Sequence, residues 1–163
     1  MMLLFSWALC GAEDDEIIAQ HVQKTFGGDA PKVIKMWLTD SALQIDLKKI
    51  LAREDLPMRQ RYYQQGQKRL WILDEIGKDS MITLGILTEN NAIVEEKVLI
   101  YRETRGGEVQ QQAYLKQYNN LTLKDNLELS KNIDGITGAT LSCRALTKMA
   151  RYALRLEKFL NSP

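Results

Sequence analysis

Histidine and cysteine are scarce in this chain. It contains one histidine, His21, and two cysteines, Cys10 and Cys143, among 163 residues. A single histidine excludes a multi-histidine metal site, and no Cys or Cys/His pair has the spacing of a zinc site. Because Cys10 lies in an apolar N-terminal run, a mature chain without that run could form no internal disulfide. The cysteine content therefore says little about the redox compartment.

The chain also lacks an excess of charge of either sign. Its 22 Lys and Arg residues oppose 21 Asp and Glu residues, which gives a formal net charge of +1. Proteins that bind nucleic acid usually show a basic excess or a clustered basic face, so we expect no nucleic-acid partner. The hydrophobic fraction of 45% and the charged fraction of 26% are ordinary for a soluble protein. A chain of this length can bury one core.

Long hydrophobic runs are missing as well. The apolar run over residues 1–9 is far shorter than the ~20 residues that a membrane-spanning helix needs. Small residues, Cys10-Gly11-Ala12, and then acidic ones follow it, as at the end of a secretory signal. We therefore expect residues 1–12 to be a signal peptide and residues 13–163 to be the functional domain. Since no Lys or Arg precedes the run, either the signal is truncated at its start or the segment is a buried N-terminal strand.

Apolar residues at helical spacing predict four helices. They cover residues 13–26, 41–53, 108–118 and 141–160. The second of them opens with a capping residue. On the first, His21 shares a face with apolar residues and is expected to be a half-buried core residue rather than a ligand. The apolar residues of the last helix follow the helical period most strictly. Basic residues occupy the rest of its surface, which is therefore expected to be solvated.

The middle of the chain shows the pattern of β-structure. Strands are predicted over residues 32–38, 70–74, 81–87 and 93–102, while residues 60–67 predict a loop or an irregular strand. Asn90 and Asn91 predict a tight turn, because Asn adopts positive φ at low cost. The sequence thus predicts one α+β domain, in which an antiparallel sheet built on a hairpin has flanking helices and a long C-terminal helix.

The segment Thr137-Gly138-Ala139-Thr140 directly precedes the long C-terminal helix. Its two small residues allow a tight turn and close approach of a bulky group. The free amide groups and the positive dipole end of a helix N-terminus favour an anion such as a phosphate carried on Thr140. The alternative is that Thr137 or Thr140 simply caps the helix, as Ser and Thr often do.

The wider sequence resembles the FMN-binding domain family. Residues 134–140 look like its complete flavinylation motif, which consists of Asp, two free positions, Ser or Thr, Gly, Ala, and the Thr or Ser that receives FMN. The likeness covers roughly residues 70–155, and it is carried in addition by residues 74–78, 101–109, 117–118 and 141–145. One mild departure is Cys143, where relatives often have a hydroxyl residue. The family includes flavin subunits of ion-pumping NADH:quinone and ferredoxin-linked oxidoreductases and stand-alone exported flavoproteins.

The resemblance implies a set of cofactor-binding residues. It makes Thr140 the residue that carries FMN, as a phosphoester, within an FMN-binding domain over residues 13–163. A separate flavin transferase, which uses FAD and a metal ion, would recognise the motif residues Asp134, Thr137, Gly138 and Ala139. The residues expected to lie against the isoalloxazine ring or the phosphate are Glu103, Thr104, Gly106 and Gly107. Ser142 completes the predicted set, and no catalytic or metal-binding residue is expected.

The function that the resemblance implies is electron transfer. We expect an exported or periplasmic electron carrier, possessing no acid/base pair of its own, whose partners are cytochromes or quinone-linked reductases. The basic face of the last helix would then dock an acidic redox partner or offset the charge of FMN. Two alternatives stay open. The first alternative is a flavin subunit of a membrane quinone-reductase complex. The second is a module that holds FMN without a covalent bond.

Overall fold

The structure, a computed structural model, describes the backbone of residues 5–162 and the side chains of residues 11–162. Five antiparallel strands form one sheet in the order β1-β2-β3-β4-β5, so each strand pairs with its neighbour in sequence. The strands are β1 Lys32–Trp37, β2 Arg59–Gln65, β3 Lys68–Ile76, β4 Met81–Glu89 and β5 Ala92–Tyr101. The helices are α1 Phe5–Phe26, α2 Ser41–Leu51, α3 Gln112–Leu115 and α4 Thr140–Leu160. The predicted α+β class is confirmed.

Helices cover both faces of the sheet. The main core lies between one face and the helices α2, α3 and α4, and it contains Trp71, Leu84, Ile86, Leu146 and Leu154 among others. A smaller core on the opposite face joins Val22 and Phe26 of α1 to residues of β3 and β4. The predicted apolar face of the first helix is thereby confirmed.

Helix α1 is longer than the pattern predicted, because it begins at Phe5 rather than at Glu13. The alternative of a buried N-terminal strand is therefore wrong for residues 5–12, while residues 1–4 of the predicted signal peptide lie outside the described residues. His21 is more deeply buried than expected and lies against Gly85. Burial, aided by the charges of Lys97 and Lys24, lowers the pKa of His21 to about 4. None of the described helices combines the length and apolarity needed to cross a membrane.

Two segments differ from their predictions. Most of residues 60–67, predicted as a loop or an irregular strand, belongs to strand β2, whose residues 59–64 pair with β1. Residues 108–118 do not form one helix. The extended backbone of Gln111, with ψ of 134°, separates a 3-10 turn over residues 107–110 from the single turn of α3, and a second 3-10 turn follows over residues 116–118.

Helix α2 has the predicted place but a different cap. The carboxylate of Asp40 accepts a hydrogen bond of 2.7 Å from the backbone N–H of Leu43, so the capping residue precedes Ser41. At the other end, Ala52 takes the left-handed conformation with φ of 53° and closes the helix two residues earlier than predicted. Ala52 also lines a cleft beside α4.

The β4–β5 hairpin confirms the turn at Asn90 and Asn91, whose φ values are 52° and 63°. The pairing of these strands then shifts between Leu87 and Thr88, which places one extra residue in β5. A bulge of this kind changes the phase of a strand, so that Glu96 faces the core instead of solvent. Glu96 is 2% exposed.

A buried polar network holds the C-terminal end of α4 on the sheet. Glu157 is fully buried and lies 2.9 Å from the guanidinium of Arg69. The hydroxyl of Thr88 donates to the same carboxylate at 2.9 Å and accepts a bond of 2.8 Å from the indole of Trp71. Because every member is buried, the network fixes both the position and the rotation of the helix.

Replacing Arg69 by Met should therefore destabilise the protein strongly. The variant would leave the carboxylate of Glu157 buried without its cation, which typically costs roughly 3–5 kcal/mol. The control is Lys48→Met, which removes the exposed ion pair with Glu54 and should cost about 1 kcal/mol or less. Urea unfolding of the two variants measures both effects, and equal losses would contradict this role of the network.

Candidate functional site

The N-terminus of α4 is open. The helix begins at Thr140 after Ala139, and no side chain of the described residues accepts a capping hydrogen bond there. The first bond of the helix runs from the N–H of Cys143 to the carbonyl of Ala139. The cap proposed for Thr137 or Thr140 is therefore wrong. The first-turn amide groups and the positive end of the helix dipole are available to an anion.

Thr140 is exposed and contributes to two clefts. Cleft A, of about 330 Å³, lies between this helix end, the β3–β4 turn and the loop after β5. Its lining residues include Lys78, Asp79, Glu103, Thr104, Arg105 and the segment from Gly138 to Ser142. The structure thus brings together two parts of the predicted site that lie some 35 positions apart in the sequence.

Cleft B, of about 420 Å³, lies on the other side of Thr140. It has a largely apolar floor that includes Ile50, Tyr114 and Ile133, and a basic rim of Lys49, Arg144, Lys148 and Arg151. Of these bases, Lys148 and Arg151 form ion pairs with Glu75 and Glu128. Within the described part of the chain, Lys49 and Arg144 have no carboxylate partner, so they leave cleft B positively charged.

The hydroxyl of Tyr101 ties the loop after β5 to α4. It donates a hydrogen bond of 2.6 Å to the carbonyl of Arg105 and lies 3.1 Å from the hydroxyl of Ser142. Since the Tyr101 proton is used on Arg105, the Ser142 hydroxyl is the donor in the second bond. Ser142 is 4% exposed. Ser142, a predicted cofactor residue, therefore joins α4 to the loop after β5 through Tyr101. Its hydroxyl is not presented to solvent.

Gly106 and Ala139 lie close together where the loop after β5 meets α4. Gly106 has φ of 80°, and a Cβ at this position would lie 3.2 Å from the Cβ of Ala139 and 3.0 Å from the Tyr101 hydroxyl. Two small residues are thus required where the loop meets the helix. The neighbouring Gly107, also predicted, packs near Gln110 and Tyr101 and is not among the residues lining cleft A.

Glu103 holds the β3–β4 turn and has a lowered pKa. Its Oε1 accepts hydrogen bonds from the backbone N–H groups of Ser80 at 3.0 Å, Asp79 at 2.9 Å and Lys78. These bonds lower the pKa of its carboxyl, because they stabilise the charged form. A Cβ at Gly77 would lie 2.7 Å from the same oxygen. Glu103 therefore joins the two loops that line cleft A.

The motif residues before the helix lie at the surface. Asp134 and Thr137 are exposed and line neither cleft. The N–H of Asp134 donates a bond of 2.9 Å to the side-chain oxygen of Gln117, which fixes the start of the motif loop. Gly138 has φ of 86° with open space around it, so a glycine is favoured there by the backbone conformation alone.

Several residues that shape this site have no role that the sequence predicts. Tyr101, Arg105 and Gln117 lie within the segments that carried the family likeness, yet nothing in the pattern showed what they contact. Tyr114 and Ile133 of cleft B have no signal in the sequence beyond being apolar. The basic residues of α4 were expected to be solvated, whereas Lys148, Arg151, Arg155 and Lys158 form ion pairs with other elements.

The sequence around this site is similar to that of a known family. The family model described as the FMN-binding domain matches residues 77–155. That range begins at the β3–β4 turn and ends within α4, so it contains all of the predicted cofactor residues. No curated protein matches the sequence.

Substituting Gly106 by Ala should separate conformational strain from the contact with Ala139. Gly66, with φ of 59° and open space around it, is the matched control for positive φ. Both variants should lose about 1–2 kcal/mol from the left-handed conformation. Gly106→Ala should lose a further ~1–3 kcal/mol from overpacking. Unfolding in urea measures the difference, and equal losses would show that the two segments are not in tight contact.

Proposed function

Residues 77–155 belong to the FMN-binding domain family, and from this premise we propose that FMN, the cofactor of this flavoprotein, is joined by a phosphoester to Thr140. The observation that supports the proposal is the open N-terminus of α4, where an exposed hydroxyl lies beside amide groups that have no side-chain cap. A phosphate on Thr140 would accept hydrogen bonds from those amides. Arg105, which lines cleft A, would add positive charge, whereas Lys78 in the same cleft is paired with Asp79.

The other hydroxyls of the motif are less suitable for attachment. Ser142 is buried and bonded to Tyr101. Thr137 is exposed but lines neither cleft, so a flavin phosphate on Thr137 would lie outside both of them. Thr140 is the motif hydroxyl that faces both clefts.

We assign the phosphate to cleft A and the isoalloxazine ring to cleft B. Cofactor sites are mostly apolar with a few polar groups, and cleft B has this character, whereas cleft A is polar. Glu103 and Thr104 would then lie on the phosphate side, with Gly106 and Gly107 behind them. Lys49 and Arg144 would stabilise the negative charge that reduction adds to the ring, which favours reduction.

The proposed role is electron carriage outside the cytoplasm. The flavin supplies the redox chemistry, while the protein supplies attachment, burial and tuning. A covalent bond suits an exported protein, because a dissociated cofactor would be lost by dilution. The proposed partners are a FAD- and metal-dependent flavin transferase for maturation and cytochromes or quinone-linked reductases for electron exchange. The basic rim of cleft B would attract an acidic surface of such a reductase.

Replacing Thr140 by Ala should abolish covalent flavin, and Thr140→Ser should retain it, because a primary hydroxyl can form the same ester. The control Thr137→Ser should load normally. Flavin fluorescence of the denatured band on a gel, after production with a flavin transferase, measures the outcome. Since Thr140 is not a cap, Thr140→Ala should change stability by no more than about 0.5 kcal/mol.

A fluorescent Thr140→Ala band would show that another residue carries the flavin. A wild-type band without fluorescence, from a protein that binds FMN before denaturation, would instead support the non-covalent alternative.

Asp134→Ala should prevent loading without disturbing the fold. The carboxylate is exposed, and the bond to Gln117 uses the backbone N–H, which the variant keeps. The control is Asp29→Ala, another exposed loop aspartate, which should load fully. Flavin content per chain and urea unfolding test both statements, with a stability change within about 0.5 kcal/mol expected for each variant. Normal loading of Asp134→Ala would exclude this residue from transferase recognition.

A further inference from the structure

The side of the sheet against which α1 packs is only partly covered. Val22 and Phe26 of α1 lie against β3 and β4. In the neighbouring strands β1 and β2, Ile34, Met36 and Tyr62 point to the main core on the other side. Because successive side chains of a strand alternate between its two sides, the remaining residues share the side of α1. They form three cross-strand pairs, here named the basic face: Val33–Tyr63, Lys35–Arg61 and Trp37–Arg59.

The basic face carries positive charge that nothing in the described part of the chain offsets. Lys35, Arg59 and Arg61 are exposed, and none of them forms an ion pair among the described residues. Neither strand contains an acidic residue. Lys35 lies directly opposite Arg61, and like charges in this position destabilise a sheet. An acidic partner would turn this repulsion into attraction.

Aromatic rings hold the two arginines of the basic face in place. The guanidinium carbon of Arg59 lies 4.9 Å from the centre of the Trp37 ring, and that of Arg61 lies 5.8 Å from the centre of the Tyr63 ring. Both distances are within the range of cation–π attraction. Trp37 is nevertheless 55% exposed, although tryptophan is mostly buried in folded proteins. Trp, Tyr and Arg are the residues that contribute most to binding at protein interfaces.

The basic face ends at an open edge of the sheet. Strand β1 is the first in the strand order, and within the described residues the backbone hydrogen bonds of residues 32–37 run to β2. The other edge of β1 therefore presents free N–H and C=O groups, to which an extended segment can add as a further strand. A membrane surface or a nucleic acid would leave these groups unused. A second copy of the chain, aligned on the same side, would add its own three uncompensated cations, which opposes self-pairing.

We propose that β1 and the basic face dock an acidic, extended segment of a partner protein, which adds a strand to the sheet at β1. Alternate residues of this segment lie on the side of the basic face. An Asp or Glu beside Lys35 would then be flanked, two positions away on each side, by apolar residues beside Val33 and Trp37. Cleft B is formed by α2, α3, α4 and the motif loop, on the other side of the sheet, so this docking surface is separate from the proposed flavin site.

The test uses the full chain and a short fluorescent peptide in which a glutamate has a valine two positions away on each side. Fluorescence anisotropy should show that the peptide binds, and that a matched peptide with glutamine in place of glutamate binds roughly tenfold more weakly. The double variant Lys35→Gln, Arg61→Gln should weaken binding of the acidic peptide by a similar factor or more. The control Lys124→Gln, Lys131→Gln removes the same charge from exposed loop positions and should bind as the wild type does.

A second readout separates strand pairing from simple charge attraction. Two further acidic peptides carry methyl groups on alternate backbone nitrogens, one set on each edge of the strand. The peptide whose methylated edge faces β1 should lose binding, while the other should keep it.

Three results would overturn the proposal: no binding of the acidic peptide, equal binding of its glutamine counterpart, or equal binding of the two methylated peptides. Binding of anionic lipid vesicles or single-stranded DNA that the double variant loses, without peptide binding, would instead assign the basic face to a membrane or a nucleic acid. A dimer in sedimentation that the double variant strengthens would assign β1 to a second copy. None of these measurements requires bound FMN, so the proposed flavin site is tested independently.

Discussion

Helix α4 is fixed on the sheet at both ends, and the position of every proposed flavin contact depends on this. At its C-terminal end, Glu157 is bonded to Arg69 and Thr88 in a fully buried network. At its N-terminal end, Ser142 is bonded to Tyr101, and Ala139 packs against Gly106. A helix held at two points cannot rotate, so the first residue, Thr140, keeps its place between clefts A and B.

The proposed anion site uses backbone groups more than side-chain charges. The open amides at the start of α4 would face the phosphate, and a second set of amides in the β3–β4 turn is already occupied by Glu103. With its carboxylate bonded to these amides, Glu103 can line a cleft for an anion with less repulsion. Arg105 is then able to act on the phosphate itself, while Lys78 is paired with Asp79. Fixed dipoles of this kind need no reorganisation when charge arrives.

Much of the fold could be predicted because local patterns decided it. The hairpin turn follows from the tolerance of Asn90 and Asn91 for positive φ, and α4 follows from an apolar period that tertiary contacts only reinforce. The small residues before Thr140 predicted a backbone that a bulky group could approach. In each case the residues that favour the structure lie close together in the sequence, so it can be predicted without knowing how the chain packs.

Other features could not be predicted because they depend on distant contacts. The bulge in β5 that turns Glu96 toward the core leaves no mark in the sequence pattern. Residues 59–65 are polar, and they form a strand because both neighbours in the sheet pair with them. The extended Gln111 divides a segment whose periodicity favours one helix. Cleft B combines residues from α2, α3, α4 and the motif loop, which meet only in the folded chain.

The attachment of FMN to Thr140 is tested most directly by mass spectrometry of the wild-type protein produced with a flavin transferase. Trypsin should release residues 132–144 as one peptide that contains Thr137, Thr140 and Ser142, so the peptide must be fragmented to locate the flavin. We expect the mass of one FMN less one water, carried on Thr140. The same added mass on Thr137 or Ser142, or an unmodified peptide from a protein that binds FMN, would contradict it.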